Sequence, residues 1–233
     1  MALSDETLNQ EHLALRWGGF CGILGSLSLV VVFVILAVLT GLETVAIEAE
    51  MKRFPDIRLI RIVENSMYLL AIALWTVHSA AMFFGLREKA LAPALLGIVF
   101  MILGLCVLAV GAVPHTMTDP ISSLYHADGA TADQQAVLIT AWTTMQGIVD
   151  MFVVTGLALT PLGMGFLSLG MLRSRTYGRR YGWIGLFLAA AGLVAGVLCL
   201  IGPTDLAAIG MFAVIFFHAI IGWGTFRARL PGA

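Results

Sequence analysis

Residues 17–42 read WGGFCGILGSLSLVVVFVILAVLTGL and include no charged side chain. An α-helix rises about 1.5 Å per residue and the hydrocarbon core of a bilayer is about 30 Å thick, so about 20 apolar residues cross it. A backbone surrounded by lipid must also be helical, because its polar groups find no water to bond with. This stretch is therefore predicted to be a membrane-spanning helix.

Further charge-free stretches follow along the chain. Together they predict six helices, near 17–41, 64–86, 91–113, 147–172, 182–202 and 206–226. Of the 233 residues, 60% are hydrophobic and 12% are charged, whereas about 25% of the residues in a soluble domain are charged. The sequence thus predicts an all-α fold, a bundle of six transmembrane helices that forms one domain over residues 17–229.

The positions of lysine and arginine predict how the bundle is oriented. In a six-span topology, nine of the thirteen basic residues fall on one side of the membrane, and the positive-inside rule makes that side cytoplasmic. The other four lie in one external loop near 42–63, and a second external loop near 114–135 has no basic residue. The N-terminal segment 1–16 and the tail 230–233 are therefore both predicted to be cytoplasmic.

Helical patterns also occur outside the predicted spans. In the first external loop, Ile57, Ile60 and Val63 recur at the spacing of a short amphipathic helix that runs into the second membrane helix. The segment 132–149 has a helical pattern too, so the fourth membrane helix is expected to begin outside the membrane and to be unusually long. Pro161 is expected to kink that helix near the middle of the membrane.

Composition and motifs narrow the functional classes. A formal net charge of −1 leaves no basic surface for nucleic acid, and the sequence has no phosphate-binding loop, zinc-protease helix or nucleophile motif. The sequence therefore favours a non-enzymatic protein of the lipid bilayer that binds a lipophilic ligand or a partner subunit within its bundle. A homo-oligomer and a subunit of a membrane complex are the two partner hypotheses.

Asp150 is the first candidate site residue, because carboxylates at membrane depth are rare and usually face a cavity or a partner. Thr143, Gln146 and Asp150 share one face of a helix. If Glu64 reached the same cavity, the two acids would hold a transferable proton, as a proton-linked small-molecule transporter requires. The alternative is an interfacial aspartate that is hydrogen-bonded to a neighbouring threonine, glutamine or tryptophan, with Glu64 paired to Arg61.

His78 and His218 form the second candidate site. Each lies nine residues before an arginine at the predicted cytoplasmic end of its helix, which predicts the same depth in the membrane for both. Two imidazoles at one depth on facing helices would ligate a metal, and specifically a haem b iron from both sides. The alternative is a buried histidine that hydrogen-bonds to a neighbouring helix, and no cofactor is then predicted.

Glycine spacing predicts where helices approach closely. Gly18 and Gly22 in the first helix are four residues apart, as are Gly192 and Gly196 in the fifth. Small residues at this spacing let two backbones pack against each other. Both pairs are therefore interpreted as packing positions.

The hairpin between the fourth and fifth predicted helices reads Gly170-Met171-Leu172-Arg173-Ser174-Arg175 and then Gly182-Trp183-Ile184-Gly185. In this motif, in its six helices and in the long external segment before the fourth helix, the chain resembles a bacterial family of multi-pass membrane proteins of unknown function, the DUF4386-type proteins. The resemblance implies a location in the bacterial inner membrane. It implies no activity, substrate or catalytic residue.

Overall fold

The computed structural model describes residues 5–40, 46–202 and 206–228. Within these ranges the chain is helical almost throughout and has no strand. Five of its helices are long and apolar enough to cross a membrane: α1 Asp5–Ile35, α2 Ile47–Ala112, α4 Ala132–Arg173, α5 Gly178–Ile201 and α6 Ala207–Arg227. The prediction of an all-helical fold with several helices of membrane-spanning length is confirmed. The predicted tail 230–233 lies outside the described residues.

Helix α2 contains both the helix predicted near 64–86 and the one predicted near 91–113, and it has a kink between them. The backbone of α2 departs from helical dihedral angles at Ala90, where φ is −150° and ψ is 47°. Pro93 explains the break, since a proline ring clashes with the carbonyl group four residues earlier and has no N–H to donate. The Tyr68 hydroxyl donates to the Leu108 carbonyl at 3.5 Å, although 40 residues of straight helix span about 60 Å. The chain therefore reverses at Ala90, which separates a first arm, 47–89, from a second arm, 91–112.

The predicted external loops are mostly helical. Helix α2 begins at Ile47, so the loop predicted near 42–63 is largely the start of the first arm. The loop predicted near 114–135 contains a 3₁₀-helix, Pro114–Met117, and the short helix α3, Thr118–Tyr125. Helix α4 is 42 residues long and begins at a capping box of Thr131 and Gln134, which confirms its predicted extension.

A small apolar core explains why these outer segments fold. Met51 and Phe54 of the first arm are buried against Tyr125 and Trp142. The rings of Phe54 and Trp142 meet edge to face, with centroids 5.4 Å apart. This contact joins the first arm to α4 and so positions both helices around the cavity described below.

The N-terminal segment is part of α1, which begins at Asp5 rather than near residue 17. A π-helix, Leu36–Thr40, continues α1 at its other end. Glu11 forms an ion pair with Arg87, close to the end of the first arm. The segment 1–16 is therefore helical from Asp5 onward and is tied to the first arm near Ala90.

Neighbouring helices pack closely at glycines, as predicted. A Cβ atom on Gly196 would lie 2.6 Å from the carbonyl oxygen of Leu157, and Gly18 faces Ala81 on the first arm. Gly192 faces Pro161 of α4. Around the bundle, the packed order is first arm, α1, α6, α5, α4 and second arm.

Candidate functional site

A cavity of about 410 Å³, here called the polar cavity, lies between the first arm, the Pro114–Met117 helix and α4. On the first arm, Glu50, Phe54, Arg61 and Asn65 follow the helical repeat and so face one side. The other walls bring imidazole, indole and amide groups to the same space. The contributing side chains there are His115, Trp142 and Gln146.

A second cavity of about 190 Å³, here called the apolar cavity, adjoins the first. Asn65 and His115 line both cavities. Most of the remaining wall is hydrocarbon from α1, α4 and α6, and includes Leu29, Val149 and Met211. Together the two cavities place a polar space next to an apolar one.

The charged side chains that line these cavities form ion pairs with one another or with a neighbouring arginine. Arg61 donates to Glu50 and, at 2.9 Å, to Glu64, and these three side chains are about a fifth exposed, at 19–23%. The Glu64–Arg61 pair that the sequence offered as an alternative is therefore present, and Glu64 lines the apolar cavity. Asp119 is separately engaged by Arg58, whose Nε and Nη2 atoms lie 2.6 Å and 2.8 Å from its two oxygens.

Asp150 is exposed, and its carboxylate accepts a hydrogen bond from Gln146 at 2.9 Å. A hydrogen bond to a neighbouring glutamine is what the alternative interpretation of Asp150 predicted. Thr143 is also exposed and donates to the carbonyl of Ile139 at 2.8 Å, along its own helix. Gln146 faces the polar cavity, whereas Asp150 is not among the residues that line either cavity. The structure thus brings Gln146 to Asp150 and Arg61 to Glu64, and both carboxylates act electrostatically on His115.

His78 and His218 meet inside the bundle, at the shared depth that their spacing predicts. Their Nδ1 atoms are 2.8 Å apart, and both side chains are fully buried. The ring of His218 stacks on Trp75, with centroids 4.7 Å apart and planes 9° from parallel. Gly22 packs against the pair, because a Cβ there would lie 2.6 Å from His78 Nδ1.

Hydrogen bonding fixes the tautomers of this pair. The Thr225 hydroxyl has one hydrogen, which it donates to the Ile221 carbonyl at 2.8 Å, so it accepts from His78 Nε2 at 3.2 Å. His78 Nδ1 is then an acceptor, and His218 Nδ1 must donate to it. His218 Nε2 has no hydrogen-bond partner in the described part of the chain. Tyr177, whose hydroxyl lies 3.3 Å from that of Thr225, extends the network toward the turn between α4 and α5.

This geometry does not fit a haem ligated by the two histidines. Metal–nitrogen bonds to histidine are about 2 Å long, so an iron between two imidazoles would hold the nitrogens well beyond hydrogen-bond distance. Here the two Nδ1 atoms touch at 2.8 Å, and Trp75 and Gly22 occupy the surrounding space. His78 and His218 instead satisfy the alternative of histidines that hydrogen-bond between helices.

Sequence reasoning missed most of the polar cavity. Glu50 and Asn65 carried no motif, and the available signal was the helical stripe from Glu50 to Asn65. The second outer loop carries four side chains able to ligate a metal: His115, Asp119, His126 and Asp128. His115 and Asp119 both line the polar cavity, but Asp119 pairs with Arg58, and His126 Nδ1 lies 2.9 Å from the Ser122 carbonyl. Among the described residues no group of three or more metal-ligating side chains occurs.

No family model, curated protein or solved structure matches this chain. The resemblance to the DUF4386-type proteins stays a prediction.

Proposed function

We propose that this is a six-pass membrane protein, with both termini in the cytoplasm, that holds a lipophilic ligand with a polar end in the two adjoining cavities. The role is binding rather than catalysis. Six crossings are supported by the reversal at Ala90, which divides the longest of the five apolar helices into two antiparallel arms. The orientation rests on the nine basic residues that then share one side, and the family resemblance supports the bacterial inner membrane.

The join between the two cavities carries the ligand proposal. Ligand sites are mostly apolar spaces in which a few polar groups fix orientation. Here Asn65 and His115 line both the polar cavity and the apolar one. A molecule with its polar end beside Arg61 and its hydrocarbon between Val149 and Met211 would match both environments.

The topology is tested with cysteines placed at exposed positions in the two hydrophilic turns. Asp128 and Arg175 are both exposed, one before α4 and one after it. In intact bacterial cells, a membrane-impermeant maleimide should label Asp128→Cys, and it should label Arg175→Cys only after permeabilisation. The unsubstituted chain measures background from its own three cysteines. Labelling of both variants in intact cells would refute the proposed topology.

The cavity is tested with a photoactivatable fatty alcohol, a neutral lipophile that carries a diazirine in its tail. Protein in nanodiscs is irradiated with this probe, and the labelled residues are mapped by mass spectrometry. Val149 and Met211 should be labelled although they are only 5% and 7% exposed, because probe in the apolar cavity reaches them from inside. Val153→Phe, which fills that cavity, should lower this labelling about tenfold, as a loss of about 1.4 kcal/mol in binding does.

A matched substitution on the lipid side provides the control. Val194 is 58% exposed on α5, so Val194→Phe should leave labelling of the cavity unchanged. Labelling confined to such lipid-facing positions in the wild-type protein would contradict a ligand-binding cavity.

A further inference from the structure

The charges around the two cavities select one class of ligand. We propose that the bound lipophile carries a positively charged nitrogen as its polar end, an inference that rests on the proposed function. A protonated alkylamine is the simplest member of this class. Its ammonium group would lie beside Glu50 and Glu64, and its hydrocarbon would extend into the apolar cavity.

The first argument is a charge count. Arg61 is shared by Glu50 and Glu64, so one guanidinium faces two carboxylates and the cluster keeps one negative charge. Asp119 changes nothing, because Arg58 neutralises it. Of the described residues that line the cavities, Arg61 is the one with a permanent positive charge. The described side chains around the two cavities therefore carry one more negative charge than positive charge.

The second argument is burial. The three side chains of this cluster are only 19–23% exposed, so water compensates the excess negative charge incompletely. A partly desolvated charge is costly unless a partner of opposite sign reaches it. An ammonium group supplies both that charge and three hydrogen-bond donors, which carboxylate oxygens accept strongly.

The third argument concerns the remaining walls. Phe54 and Trp142 both line the polar cavity, and aromatic rings attract cations through the negative potential of their faces. The Asp150 carboxylate, held by Gln146 at 2.9 Å, adds negative charge behind the same wall. Anionic lipids would be repelled by these acids, so a carboxylate or phosphate head is disfavoured.

Three probes with the same alkyl diazirine tail test this inference. Their heads are an ammonium, a hydroxyl and a carboxylate, and the protein is placed in nanodiscs of zwitterionic phosphatidylcholine. Labelling at Val149 and Met211 is divided by labelling near Val194, which corrects for the different partition of each probe into lipid. The corrected labelling should be about tenfold higher for the ammonium probe than for the hydroxyl probe, a difference that one charge-assisted hydrogen bond can supply. It should be lowest for the carboxylate probe.

Isosteric variants identify the acids responsible. Glu50→Gln and Glu64→Gln each leave one acid for Arg61, so each should lower ammonium labelling to the level of the hydroxyl probe. The double variant leaves Arg61 unpaired and should favour the carboxylate probe. Glu48→Gln is the matched control, because Glu48 lies near Glu50 in sequence but is exposed and pairs with Lys52 at 2.7 Å. It should change nothing.

The outcomes separate this inference from the proposed function. Unchanged labelling by the hydroxyl probe in each variant shows that the site is still folded. If a variant fails to fold, the rank order of the three probes on the wild-type protein still tests the cation preference. Equal labelling by the three heads, or strongest labelling by the carboxylate, overturns the cation preference while the lipophile site remains. Absence of cavity labelling by every probe overturns the proposed function itself.

Discussion

Two polar regions of the bundle differ in what surrounds them. At the His78–His218 pair, the ring nitrogens meet at 2.8 Å and Trp75 and Gly22 fill the neighbouring space. At Arg61, the charged groups are also paired, but they border cavities of about 410 Å³ and 190 Å³. The first region is a packed core that contains polar atoms. The second region is a pair of cavities with charged side chains in their walls.

The difference shows that polarity in a membrane helix does not by itself indicate a ligand site. Buried polar groups stabilise a bundle when they satisfy one another across helices. His78 is in this position, since both of its nitrogens have partners. Arg61 and Glu64 also have partners, yet their pairing leaves uncompensated charge beside empty volume. The presence of a cavity next to the polar groups is therefore what distinguishes the Arg61 region from the histidine pair.

Enlarging a residue in each region tests this comparison and should give the largest effect. Gly22→Leu should lower the free energy of unfolding by about 3 kcal/mol, because its Cβ would lie 2.6 Å from His78 Nδ1 and 2.9 Å from the backbone oxygen of His218. Val153→Phe should leave the free energy unchanged or raise it by about 1 kcal/mol, since it fills an existing cavity. Unfolding is followed by circular dichroism as mixed micelles are titrated with dodecyl sulfate.

Gly147→Leu is the control for the glycine substitution. Gly147 lies in α4, and a Cβ there would meet no atom within 4 Å outside its own turns of the helix. This variant should be as stable as the wild-type protein. If Gly22→Leu were equally stable, the histidine pair would have free space around it and the contrast with the cavities would disappear.

The two regions also differ in how far sequence could predict them. The spacing of His78 and His218 from the arginines that end their helices predicted their common depth, because each helix rises by a fixed amount per residue. Their contact was not predictable, since it depends on α6 packing beside α1 and the first arm. Thr225 gave a usable signal, as it lies seven residues after His218 and so on the same face of α6.

The cavities could not be predicted because no single stretch of sequence contains them. The walls of the polar cavity come from the first arm, the Pro114–Met117 helix and α4, and the apolar cavity adds α1 and α6. These elements are far apart along the chain. Sequence did offer the Arg61–Glu64 pair as an alternative and predicted the early start of α4, both of which depend on local spacing. It also predicted a separation near Ala90, because Arg87 and Lys89 interrupt the apolar pattern there, but it did not predict that helical structure continues through the turn.

A double-mutant cycle on the histidines should give a smaller effect and shows whether that region is purely structural. His78→Leu leaves His218 Nδ1 without a partner, and His218→Phe keeps the stacking on Trp75 but leaves His78 Nδ1 unpaired. Each should lower the free energy of unfolding by about 1–3 kcal/mol, the usual cost of a buried unsatisfied group. The double variant should cost less than the sum by about 1 kcal/mol, because it removes both groups together. Strictly additive losses would show that the two imidazoles do not interact, and the region would then not be a mutually satisfied polar pair.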